Sequence, residues 1–514
     1  MGAVSVSTET QPRLEVNTPA TPGRSQKSWL WLLLGSALLL FANGRDTVPI
    51  AAWLGPVFLL RFVRLRRPLT GLLVAFAAMS AVYAFQYRGM VPVPGAYYFI
   101  VTTLIGITSL LPYVLDRLLY PRLRGFTGTL LFPLAWAALG YLTTRSSIYG
   151  SWGSEAYSQY GNLPLLQLLS ITGLAGIEFL IAWFASACNF VWEQGWNSRP
   201  ARQTVLIYAI VIVGVLLYGG LRLAVFPPAA STVRVATLTR PEIEFTASDD
   251  AWEHLLKGSA SAVEIADTRS RTGQIADNLF TRAGREAQGG AKIISWGETN
   301  LPVLKADEPA LLLRAGDFAH KNDVYLLMAV GVLIPGAKQP VENKVVFVSP
   351  GGEILWQYSK VRPVPGPEAA MQVPGDGRIR TANTPYGRIG TAICFDMDFP
   401  KLLQQAGAQR ADLMIVPSND WRAIDPYHTQ MAAYRAVEEG FNLVRHTSQG
   451  LSLAVDYQGR VLGAMDHYHA SDRVLVAQLP TRGVRTIYSR VGDLFAWLCI
   501  AGLVLVGGKA LARK

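Results

Sequence analysis

Eight apolar runs, at about 28–43, 47–62, 69–87, 96–116, 126–144, 165–191, 203–222 and 493–509, constrain this chain more than any other feature. Most reach the roughly 20 residues needed to cross a bilayer core. There each backbone polar group must be satisfied within its own segment, so the runs are expected as helices. The second is short and interrupted by Pro56, which predicts a tilted or partly re-entrant segment. The first is too internal, and too closely followed by others, to be a cleaved signal peptide. A mean hydropathy of +0.25 over 514 residues fits a membrane protein with one sizeable water-facing block.

The formal charge of +11 is placed asymmetrically. Segments before the first run, between runs two and three, four and five, and six and seven, and after the eighth carry fifteen Lys and Arg. The opposite short loops carry four: Arg45, Arg88, Arg145 and Arg222. The positive-inside rule then places both termini in the cytoplasm and the block from 229 to 488 outside it. No basic-aromatic module of a nucleic-acid binder is present, so nucleic acid is not an expected partner. Residues 1–27, rich in Thr, Ser, Pro and Gln, read as a disordered cytoplasmic tail. Residues 28–224 read as a seven-span membrane domain and 493–509 as an eighth span. Phe226-Pro227-Pro228 ends the seventh.

Between the last two spans, strand-like and helix-like runs alternate. Strands are expected at Val233–Leu238, Lys292–Trp296, Tyr325–Ile334, Val345–Val348, Ile354–Tyr358, Ile389–Phe395, Leu413–Val416, Leu443–His446, Leu451–Val455 and Val474–Gln478. Pro350-Gly351-Gly352 marks a hairpin turn. One long helix is expected over Ala251–Ala287, with others over Ala310–His320, around Leu402 and over Met431–Glu439. The pattern implies a layered α-β-β-α sandwich.

Cys394 is the only cysteine of this block, because Cys188 and Cys499 fall within apolar runs. A lone thiol has no disulfide partner in its own domain, so it is either a small buried hydrophobe or a nucleophile. A thiol with an ordinary pKa near 8.5 needs a base or a neighbouring cation to act at neutral pH. Glu298, in Ile293-Ile294-Ser295-Trp296-Gly297-Glu298, and Lys360, in Tyr358-Ser359-Lys360, follow strand-like runs. They are the expected base and oxyanion-stabilising cation. Glu368 is expected to orient the lysine, and Asp396 to hold the site's backbone or a lid. His446 reads as a core histidine. His467 and His469 lack a third metal ligand nearby, and neither a metal nor a cofactor is expected.

These segments resemble the Glu-Lys-Cys signature of the nitrilase, or carbon–nitrogen hydrolase, superfamily. The whole layout resembles its apolipoprotein N-acyltransferase family. Trp296-Gly297-Glu298-Thr299, Lys360 with Glu368 eight residues on, and Cys394-Phe395-Asp396 carry the likeness. Ser418-Asn419-Asp420-Trp421, Tyr157-Ser158-Gln159 and Tyr488-Ser489-Arg490-Val491-Gly492-Asp493 extend it. The chain departs from the family pattern at Thr239-Arg240-Pro241, Pro367-Glu368-Ala369, Trp421-Arg422-Ala423 and His446-Thr447-Ser448-Gln449. These departures bear on substrate access more than on the triad. The resemblance implies a bacterial inner-membrane enzyme with its catalytic domain in the periplasm. It would move an acyl chain from a phospholipid, through a thioester on Cys394, to the N-terminal amine of a diacylated apolipoprotein. Apolar lids are expected to exclude water, with candidates at Pro365–Gly377 and Trp421–Tyr427, Trp421 and Tyr427 above all. The alternative is a membrane-anchored nitrilase-like amidase or hydrolase with another acceptor.

Overall fold

The computed structural model describes residues 27–228 and 231–512, so the expected disordered tail lies almost wholly outside the described residues. Among the described residues six helices are long and apolar enough to cross a membrane: 68–86, 96–122, 126–146, 174–194, 199–225 and 494–512. The first two expected spans form shorter helices, Lys27–Leu39 and Pro49–Leu65, packed on one another. Pro56 is accommodated inside the second, which runs on without interruption.

The sixth expected span is divided. Two single turns, Leu163–Leu166 and Leu169–Thr172, precede the helix Leu174–Gln194. The break falls at Gly173, whose φ of +61° lies in the left-handed region. A Cβ there would also meet the Tyr488 ring at 2.6 Å. Leu174–Gln194 is the most enclosed of the long apolar helices, burying Ile177, Leu180, Ile181, Ala182 and Trp183 among its neighbours.

The strands of the block between the last two long apolar helices are β1 (Thr232–Leu238), β2 (Ile293–Trp296), β3 (Leu301–Leu304), β4 (Tyr325–Leu333), β5 (Val341–Val348), β6 (Ile354–Ser359), β7 (Thr381–Thr384), β8 (Gly387–Thr391), β9 (Leu413–Asn419), β10 (Asn442–Ser448), β11 (Leu451–Val455), β12 (Val461–Asp466) and β13 (Val474–Pro480). They form two sheets, ordered β13-β1-β2-β4-β5-β6, with β3 on β4, and β12-β11-β10-β9-β8-β7. A single apolar cluster joins the facing sides, with Val235, Ile293, Leu327 and Phe347 meeting Ile389, Leu413, Ile415 and Val444. A second cluster lies under the outer helices of the first sheet, through Leu279, Phe280, Ala315 and Trp296. The expected α-β-β-α sandwich is the observed one.

Three short strands, β3, β7 and β12, escape the sequence pattern because each has only four to six residues: β3 carries a proline, β7 is polar and β12 is interrupted by Gly463. The expected helix over Ala251–Ala287 is two: Asp249–Lys257 ends at left-handed Gly258, and Ala262–Gln288 begins at a capping box of Ser261 and Glu264. The expected strand Ile389–Phe395 stops at Thr391, and Cys394–Asp398 turns into a single 3₁₀ segment.

Candidate active site

Three of the expected site residues follow strand ends on the two facing sheets. Glu298 comes two residues after β2, Lys360 one residue after β6, and Cys394 three after β8. Close packing fixes the first turn, since a Cβ on Gly297 would meet Asn300, Ser448 and His446 at 2.7–3.0 Å. Cys394 has φ of +48°, a left-handed conformation costly for a side chain with a Cβ. Surrounding contacts must therefore hold the nucleophile turn in place.

Lys360 Nζ donates to Glu298 Oε1 at 2.8 Å and also to Glu368 Oε1. Asn343 Nδ2 donates to the same Glu298 oxygen at 2.7 Å. Glu298 and Lys360 are buried, whereas the Glu368 side chain keeps 26% of its exposure. Burial alone would lower the Lys360 pKa, but Glu298, Cys394 and Glu368 hold it well above the ordinary value, so the ammonium persists. Burial raises the Glu368 carboxyl, against the pull of Lys360. The Cys394 thiol is pushed well above its usual value by burial first and by Glu298 second, despite Lys360 and Arg445. At neutral pH it rests as a protonated thiol that needs a base.

Asp396 bridges two of these segments. Its carboxylate accepts from Tyr358 Oη at 2.7 Å, from Ile393 N at 3.0 Å, and from the backbone N–H groups of Val361 and Arg362 at 3.1 and 2.8 Å. Burial raises its pKa, with those hydrogen bonds opposing. The Lys360 loop and the Cys394 turn are thus tied to one carboxylate.

A second buried network, absent from the sequence expectations, flanks the thiol's other side. Asp420 Oδ1 lies 3.9 Å from Cys394 Sγ, 2.8 Å from His428 Nδ1 and 3.0 Å from Arg445 Nη2. His428 Nε2 reaches Asp398 Oδ2 at 3.2 Å. Arg445 Nη1 donates to the Cys394 carbonyl at 3.2 Å. Burial opposes the Asp420 charge, but His428 and Arg445 bring its pKa down to about 2. Burial and Arg445 oppose protonation of His428, but Asp420 and Asp398 raise it overall. Cys394, Asp420 and His428 have ligand atoms within 4.8 Å of one another, a spacing that would suit a metal ion. Arg445 already supplies positive charge to that trio. The signal in sequence was His428 within an otherwise packing-type helix, Tyr427–Glu439.

Trp421 and Cys394 line one cavity of about 150 Å³, together with Tyr83, Val91, Ile105 and Trp136 of the helical domain. Trp421 Nε1 donates to Gly89 O of that domain at 2.8 Å. Tyr427 is not among the lining residues: it is buried against Trp152 and Tyr157, and its hydroxyl binds Asn43. His446 sits between Thr237 and Thr239 at 2.8 and 3.0 Å, with its pKa lowered by burial to about 3, as a core histidine would.

The chain matches the family model described as carbon-nitrogen hydrolase over residues 248–488. Over residues 28–187 it matches the model described as apolipoprotein N-acyltransferase N-terminal domain. It is 27% identical over 530 residues to an apolipoprotein N-acyltransferase of Geobacter metallireducens, covering 95% of this chain and 96% of that protein. It is 25% identical to apolipoprotein N-acyltransferase 2 of Treponema pallidum, covering 72% and 73% of the two chains. Among solved structures, an amidase from Nesterenkonia sp. is similar at a TM-score of 0.38 and 20% identity, over 49% of this chain and 92% of that one.

Proposed function

The chain belongs to the apolipoprotein N-acyltransferase family, and from that premise we propose that it transfers a phospholipid acyl chain to the N-terminal amine of a diacylated apolipoprotein. It is an acyltransferase of the nitrilase superfamily, carried in a bacterial inner membrane by its apolar helices. Both termini lie in the cytoplasm in this reading, with the catalytic domain in the periplasm.

The observation that carries the reading is the cavity shared by Cys394 and the helical domain. A soluble amide would not need it, whereas a lipid ester has its acyl chains there. In the first half-reaction the Cys394 sulfur attacks the ester carbonyl while Glu298 takes the thiol proton. The Lys360 ammonium stabilises the oxyanion. The carbon–oxygen bond breaks, Glu298 returns the proton to the departing alkoxide, and a lysophospholipid leaves. In the second, the α-amine of the diacylglyceryl cysteine attacks the thioester and gives a proton to Glu298. The carbon–sulfur bond then breaks, and the restored thiol takes that proton.

Trp421 closes one side of the cavity. Its contact to Gly89 belongs to a lid that limits water at the thioester.

Intact mass spectrometry of the full-length protein and of Cys394→Ser tests this reading, with phospholipid first and a diacylated lipopeptide second. A fatty-acyl increment on Cys394 that moves to the peptide amine is expected. An increment that decays to free fatty acid without reaching the peptide would overturn the transferase reading in favour of a hydrolase. No increment from phospholipid would sink both.

A further inference from the structure

A second pocket, of about 680 Å³, lies where the catalytic domain meets the ends of the helices Phe126–Ser146, Leu174–Gln194 and Leu494–Ala512. Four cationic side chains line it: Arg145, Arg362, Lys401 and Arg490. All four are exposed, and none makes a salt bridge among the described residues. Its acids, in contrast, are already satisfied. Asp493 accepts from Gln404 at 3.1 Å, Tyr488 at 2.8 Å and Tyr141 at 3.3 Å. Glu438 is paired with Arg435 at 3.0 Å, and Glu178 accepts from Ser154. Only Glu438 is paired with a cation outside this set, so the four cations face Asp493 and Glu178 and the balance of the pocket is positive.

The backbone adds to it. Leu174, Pro400 and Asp493, at the N-terminal ends of the helices 174–194, 400–408 and 494–512, all line the pocket. The positive dipole ends of these three helices add to the potential along the wall, although the Leu174 N–H itself already bonds Glu438.

Depth and connection identify the ligand further. Tyr141 and Trp497 stack edge-on at 5.7 Å beside exposed Leu142 and Leu494, the aromatic-and-apolar pattern of a membrane boundary. The pocket shares Thr144 and Glu178 with the cavity that holds Cys394. Phe399 on its wall stacks at 5.2 Å on Phe395, which lines that cavity. Phosphate-binding chemistry thus stands at headgroup depth, back to back with an apolar cavity ending at the thiol.

We propose that this pocket binds the phosphodiester of a glycerophospholipid and presents its ester to Cys394. The proposal rests on the acyl-donor reading above. Inorganic phosphate and a phosphate-free ester distinguish it from a general anion site.

The test uses the full-length protein in mixed micelles and the triple variant Arg145→Gln/Lys401→Gln/Arg490→Gln, whose positions are exposed and outside the catalytic machinery. Phosphatidylglycerol is one acyl donor and p-nitrophenyl palmitate, which has no phosphate, the other. The variant is expected to raise KM for phosphatidylglycerol about tenfold or more, with kcat unchanged and turnover of the nitrophenyl ester unaffected. An unchanged KM, or equal losses with both donors, would overturn the proposal. So would competition by inorganic phosphate as effective as competition by phospholipid, which would reveal an ion site only. Co-purified lipid, read by native mass spectrometry, is expected to fall in the variant. That measurement needs no turnover, so it separates failure of the pocket from failure of the transferase reading.

Discussion

Arg445 Nη1 donates a 3.2 Å hydrogen bond to the carbonyl oxygen of Cys394, a residue whose φ of +48° a side chain rarely adopts. The guanidinium is fully buried on β10 and paired with Asp420 at 3.0 Å. Removing one partner of a buried ion pair leaves an uncompensated charge, which costs about 3–5 kcal/mol. Arg445→Met is expected to lower the Tm in detergent strongly and to abolish acyl-enzyme formation. Arg445→Met/Asp420→Leu, which removes both charges, is expected to recover much of the Tm but not the activity. Thermal unfolding and the Cys394 acyl increment, measured side by side, check both.

Asp396 accepts four hydrogen bonds that tie the Lys360 loop to the Cys394 turn. In Asp396→Asn the amide end presents donors where three backbone N–H groups and a tyrosine hydroxyl also donate. Each unmade buried bond costs about 1–3 kcal/mol. A displacement of the lysine by about 1 Å costs on the order of 100-fold in rate. Single-turnover acylation is expected to slow by about that factor with little change in KM for the donor, and an unchanged rate would remove Asp396 from the site.

His446 is held neutral in the core, with its pKa lowered to about 3 against an ordinary value of 6.5. The folded protein binds a proton there less readily than the unfolded chain does. This histidine's contribution to stability is therefore full above pH 6.5 and lost as pH falls from 6.5 toward 3. Asp420, lowered to about 2, adds a loss confined to the range below pH 4. Tm measured from pH 7 to 4.5 is expected to fall. His446→Gln is expected to flatten that slope, and an unaltered slope would assign the acid sensitivity elsewhere.

Trp421 joins the catalytic domain to Gly89 of the helical domain and lines the cavity at Cys394. Trp421→Ala opens that wall, so the acyl-enzyme is expected to hydrolyse several-fold faster in the absence of acceptor. The decay of the acyl increment on Cys394 with time reads this directly. Tyr427→Phe, behind the wall, is expected to leave the decay unchanged while lowering Tm through loss of its contact with Asn43.

The length and spacing of the apolar runs, and the alternation of the block between them, were enough to specify helices in a membrane and a two-sheet sandwich. Periodicity is local, and both features are written in neighbouring residues. The positions of Glu298, Lys360 and Cys394 just past strand-like runs were legible for a related reason, because strand ends are also written in neighbouring residues. The split at Gly173 and the short strands β3, β7 and β12 were not legible. The first depends on the close approach of Tyr488, more than 300 positions away in the chain, and the strands depend on partners that extend an existing sheet. Tertiary structure alone decided which polar residues are buried together. Asp420, His428 and Arg445 look like ordinary surface types in sequence, yet packing removes them from water, where each charge must find another within about 3 Å or be neutralised. It also decided the two pockets, because their walls come from a helical and a catalytic domain that meet only in the folded chain.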